Sequence, residues 1–166
     1  YCQSAISVGS SLNLDLNIVL VGENKIITNN TLSNGIFVAG GNNSLTISGE
    51  GSLSITCNNG KCGIYSASNG GDIIIDGVKL DIHFEGNNGV GIQTTSGSVS
   101  LQNGADVSCT CGKESIYAFG GSLTIENSSV HATSTAASSR AIASSQDLDI
   151  TNSCLLYTSP SPRDLS

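Results

Sequence analysis

This chain predicts an all-β fold, a right-handed parallel β-helix (β-solenoid) of about five to six coils with three short strands each, and three observations carry that expectation. A phrase recurs five times, an Ile-led step, a polar turn and an alternating apolar strand such as Ser44-Leu45-Thr46-Ile47. It recurs every 24 to 28 residues, the length of one solenoid coil. The corners between strands carry Gly, Asn and Ser, which suit sharp turns.

The elements follow in order. Ile36, Ile64, Ile92, Ile116 and Ile142 open successive coils. The second strand of each coil holds Leu45/Ile47, Ile73/Ile75, Val99/Leu101, Leu123/Ile125 and Leu148/Ile150, apolar positions flanked by polar ones, the period-two signature of a strand with one buried face. A third strand is expected around Leu53/Ile55, Leu80/Ile82, Ala105/Val107 and Val130. At the corner after the second strand, Gly49, Gly77, Asn103, Asn127 and Asn152 occupy one aligned position, where Asn and Gly tolerate a left-handed backbone and stacked amides can bond along the axis. One coil cannot bury its own apolar face, so stability comes from stacking on the next. Parallel crossovers are right-handed in nearly every sheet, hence the expected hand.

The repeat is clear over residues 11–153, within a β-helix unit assigned to 1–153. It stops at Cys154-Leu155-Leu156-Tyr157-Thr158-Ser159-Pro160-Ser161-Pro162-Arg163-Asp164, a string that resembles the translation of a transposase-based sequencing-library adaptor. Residues 154–166 are therefore expected to be an unstructured artefact, with Leu165-Ser166 as index sequence, and the rest to be an internal piece of a longer reading frame.

Charged residues make up 11% of the chain, against abundant Ser, Asn and Thr, and the formal net charge is −7. Regular β periodicity argues against disorder and for a neutral polar exterior, as on extracellular solenoids. The acidic balance offers no basic stripe to displace counterions, which disfavours nucleic acid and anionic membrane surfaces as partners. No apolar run is long enough for a membrane helix, so no membrane insertion is expected in this portion.

Outside the suspected tail the cysteines are Cys2, Cys57, Cys62, Cys109 and Cys111. Cys57 is expected to share an apolar column with Phe84, Cys109 and Ala132, two coils from Cys109 and beyond disulfide reach. Cys62 could close a corner loop with Cys57. A zinc site drawing on both pairs would need much closer sulfurs, so buried or locally paired thiols are the expectation, and no metal is assigned.

Function must lie on the outward columns. Directly after the aligned isoleucines come Phe37, Tyr65, Gln93, Tyr117 and Ala143. Phe37, Tyr65 and Tyr117 are the candidate ligand-binding residues, because exposed aromatic faces on a flat sheet can stack on sugar rings. The alternative is a stabilising ladder in which rings pack on neighbours one coil away, and the absence of Trp and the interruption at Gln93 weigh toward it. Asp76, Gln102 and Glu126 align, as do Asp81 and Asp106, yet no Asp-Asp pair or calcium-binding nonapeptide occurs, and solvated surface acids are the simpler reading. His83 and His131 share a column and read as surface histidines. Lys79 stands near Asp76 and Asp81 as the one strand-borne base near acids, and this too looks like a solvated face; no catalytic residue is assigned.

Leu-x-Ile-x-Gly-x-Gly-x-Leu-x-Ile from Leu45 to Ile55, Gly63-Ile64-Tyr65 and Val19-Leu20-Val21-Gly22-Glu23-Asn24 resemble cell-surface β-helix proteins of anaerobic gut bacteria, described as carbohydrate-binding or pectate-lyase-like. The resemblance covers about residues 11–153. It implies an extracellular or cell-surface location, a polysaccharide or a host or cell-wall glycan as partner, and no cofactor. No position matches a catalytic motif. Two function classes follow: a non-catalytic structural or adhesin-like module, and a coil segment of a polysaccharide lyase or glycoside hydrolase whose active site lies elsewhere.

Overall fold

The computed structural model describes residues 4–10, 13–29, 31, 33–86 and 88–160. Cys2 and the last six residues of the suspected adaptor lie outside the described residues. The strands run coil by coil: β1 (Ser4–Val8), β2 (Asp15–Leu20) and β3 (Glu23–Thr28), then β4 (Asn34–Val38), β5 (Ser44–Gly49) and β6 (Ser52–Cys57). A third coil holds β7 (Cys62–Ser66), β8 (Ile73–Asp76) and β9 (Lys79–Phe84), and a fourth β10 (Val90–Thr94), β11 (Val99–Gln102) and β12 (Asp106–Cys111). The last two are β13 (Ile116–Ala118), β14 (Leu123–Glu126) and β15 (Ser129–Ser134), then β16 (Ile142–Ser144), β17 (Leu148–Thr151) and β18 (Cys154–Thr158). Each coil contributes one strand to each of three six-stranded parallel sheets, so the molecule is a β-solenoid with three strands per turn.

The isoleucine column is continuous and one coil longer than expected: Ile6, Ile36, Ile64, Ile92, Ile116 and Ile142 pair in sequence. The four central members are fully buried, each contributing about 1.5–3 kcal/mol relative to exposure. Leu45/Ile47 through Leu148/Ile150 stack as the alternation predicts. The corner residues Gly49, Gly77, Asn103, Asn127 and Asn152 all adopt positive φ, at 115°, 67°, 57°, 48° and 49°. Their amides form no ladder with one another. Asn103 Nδ2 instead donates to Asp76 Oδ1 at 2.7 Å, one coil back.

Inward hydroxyls hold the turn between first and second strands. Ser66 donates to the Gly71 carbonyl at 2.9 Å and Thr94 to that of Gly97 at 2.6 Å, so these buried polar groups in an apolar interior are satisfied. Asn43, fully buried, does the same for the preceding coil: its amide donates to Gly9 and its oxygen accepts from the Leu14 N–H.

The third strand of the fourth coil departs from expectation. Val107, not Ala105, pairs with Leu80, and Cys109 pairs with Ile82, so the Cys57–Phe84 column continues into Cys111. The cause is the corner before β12, where Gly104 (φ 85°) adds a residue after Asn103 and delays the strand. Two further alignments fall with it. Asp106 neighbours Lys79 while Asp81 neighbours Ser108, and His83 stands beside Thr110 while His131 stands beside Ser108, so neither the acids nor the histidines share a column.

Cys154–Thr158, expected to be unstructured, instead forms β18 in parallel register with β15, Val130 facing Leu155. Leu155 packs against the core while its neighbours stay exposed. The open edge of β15 offers unpaired backbone groups, and the β-prone run Cys-Leu-Leu-Tyr-Thr meets them.

Candidate functional site

On the first sheet the outward column reads Ser7, Phe37, Tyr65, Gln93, Tyr117 and Ala143 in consecutive coils. Strand separation fixes neighbouring side chains about 4.8 Å apart, within stacking range. Phe37 and Tyr65 are stacked, with centroids 5.7 Å apart and planes inclined at 27°. Gln93 then divides the strip. Tyr117 belongs to a second cluster, edge-on to Phe119 at 5.5 Å and beneath the Arg140 guanidinium at 5.4 Å. Of the three residues expected to act together, the structure therefore brings Phe37 and Tyr65 together and sets Tyr117 apart.

Beside the Phe37–Tyr65 pair runs an open groove of about 680 Å³. One wall is the outer face of the first sheet, at Phe37, Tyr65 and Gln93; the other comes from the corner segments 58–61 and 86–90, which link each third strand to the next coil. Tyr65 Oη accepts from the Thr95 hydroxyl at 3.1 Å, which orients the ring and leaves the phenolic proton to donate elsewhere. Two acceptors in the wall have no partner in the protein: Asn34 Oδ1, on a buried residue, and Asn58 Oδ1, whose amide nitrogen donates to Asn29 at 2.6 Å. Buried polar atoms are seldom left unpaired, so two on one groove mark positions that a hydroxyl-rich ligand would satisfy.

Lys61 and Lys113 also line the groove, both exposed at their backbone positions. Gly89 stands between them in the stack: the Val90 N–H donates to the Lys61 carbonyl and the Lys113 N–H to the Gly89 carbonyl, each at 2.9 Å. A Cβ at Gly89 would collide with the Phe84 ring, so no side chain can fill the gap between the lysines. No carboxylate lines the groove among the described residues. Glu114, next to Lys113, is paired instead with Arg140 at 3.5 Å.

Cys57, Cys62, Cys109 and Cys111 are buried free thiols. Burial pushes the Cys62 thiol up to about 12, the neighbouring Cys57 adds to this, and Lys61 and Lys113 pull the other way. Burial likewise raises Cys111 to about 12 and Cys109 well above the ordinary thiol value. These groups are inert packing thiols at neutral pH. Among the described residues no group of three or more His, Cys, Asp or Glu could hold a metal ion.

Asn34, Asn58, Lys61 and Lys113 were not among the residues the sequence singled out. Both lysines carried a signal, since each stands three places before an aligned isoleucine, Ile64 or Ile116. The asparagines carried none, because corner loops have no periodicity to read. Comparison with family models, curated proteins and solved structures finds no match to this chain.

Proposed function

We propose that this chain is a non-catalytic, adhesin-like coil module of a secreted or cell-surface bacterial protein, and that it holds a glycan in the groove beside Phe37 and Tyr65. The observation that carries the reading is the stacked Phe37–Tyr65 pair next to the unpaired acceptors of Asn34 and Asn58. Sugar rings present apolar faces that stack on aromatics and hydroxyls that donate to such oxygens, and the groove supplies both along one wall. Glycoside hydrolysis calls for a pair of carboxylates across the scissile bond, and the groove lining contains none among the described residues, which supports binding over cleavage at this place. The resemblance to gut-bacterial surface proteins and the neutral polar exterior support the location.

Affinity electrophoresis against a panel of soluble polysaccharides tests the reading. Retention by the parent protein is expected to fall about tenfold or more in Phe37→Ala/Tyr65→Ala, with the circular dichroism unchanged. Equal retention by a folded double variant would sink the groove as the binding site and leave Phe37 and Tyr65 as a stabilising ladder.

A further inference from the structure

The groove's charge runs against that of the chain. The protein as a whole carries a net charge of −7, yet the groove presents two ammonium groups and, among the described residues, no carboxylate. The depression on the third sheet behaves differently, since Lys25 and Lys79 there are offset by Glu23 and Asp81. Around the groove the one nearby acid, Glu114, is engaged by Arg140.

Geometry separates the lysines and holds them separate. Lys61 and Lys113 lie two strand spacings apart, about 10 Å along the stack, with Gly89 between them as a notch that Phe84 prevents any side chain from closing. Two fixed cations along a groove, beside aromatic faces and unpaired acceptors, match a chain of sugars that bears acidic groups at intervals. Ammonium groups act as point charges toward such anions, without the planar fit that a guanidinium would impose, so carboxylate and sulfate are both accommodated.

We infer that the groove selects an acidic glycan, with its anionic substituents seated on Lys61 and Lys113 and its rings on Phe37 and Tyr65. This rests on the glycan-binding reading and adds to it the class of sugar.

The test uses the full chain and matched polymer pairs: polyuronates with their methyl esters, and sulfated galactans with their desulfated forms. Titration at low salt is expected to show the charged member of at least one pair binding about tenfold or more above its neutral partner, on the scale of one charge-assisted contact. That advantage disappears in Lys61→Gln/Lys113→Gln and at high salt, and Lys61→Arg/Lys113→Arg keeps it. Polyuronate binding identifies carboxylate as the anion, and galactan binding identifies sulfate. Equal binding of charged and neutral members, unaltered by the glutamine variant, would overturn the acidic selectivity while leaving glycan binding in place. Failure of every polymer, charged or neutral, would overturn the glycan reading itself.

Discussion

At single residues, the fold depends on which side chains tolerate a left-handed backbone. Asn127 sits at φ 48° and its amide reaches only the adjacent Glu126, at 3.4 Å. An L-residue without a short polar side chain pays roughly 1–2 kcal/mol in that conformation. Asn127→Ala is therefore expected to lower the urea-unfolding free energy by about that amount, and Asn127→Gly to stay close to the parent. An alanine variant as stable as the parent would show that the corner relaxes. This column was legible in the sequence because Gly and Asn are the two residues the conformation admits. The groove residues were legible less fully. Phe37 and Tyr65 announce themselves by following the aligned isoleucines, whereas Asn34 and Asn58 matter through unpaired oxygens, which no spacing records.

At the level of elements, register decides what each strand contributes. Ile-led first strands and Leu-x-Ile second strands align correctly from sequence, because a one-residue error would turn every apolar side chain outward. The third strand of the fourth coil escapes that test. Ala105, Val107, Cys109 and Cys111 alternate as small apolar residues, so a two-residue slip keeps the inside apolar, and only the extra Gly104 at the corner fixes the answer. Alternation likewise hides in Cys154–Thr158, where β18 pairs with β15 alone and tucks in a single leucine. Deleting residues from Cys154 onward is expected to preserve the β-sheet circular dichroism and to lower Tm by only a few degrees, since about 2–4 °C accompanies each kcal/mol at this size. Cooperative loss of β-structure on that deletion would show that β18 closes the stack.

Across the whole molecule, the buried thiols couple stability to alkalinity. Cys62 and Cys111 stay protonated in the fold up to about 12, whereas the ordinary thiol value is 9.0. A raised folded value stabilises the native state fully below the unfolded one. Above it the unfolded chain releases protons that the fold retains, so stability is lost as pH climbs from 9.0 through about 12. Thermal melts should thus show Tm falling across that interval, and falling less steeply in Cys62→Ala/Cys111→Ala than in the parent; parallel slopes would assign the loss to the tyrosines and lysines instead. The thiols are spread over β6, β7 and β12, so their protonation bears on three consecutive coils and not on one loop.

Because all three sheets are parallel and each strand bonds only to the coils before and after it, the backbone hydrogen bonds point along the stack. Tension applied between the chain ends would therefore load those bonds at the outermost coil first. The molecule would yield by peeling, releasing one coil of 24 to 28 residues at a time, while the coils still stacked keep the groove intact until the peeling front arrives.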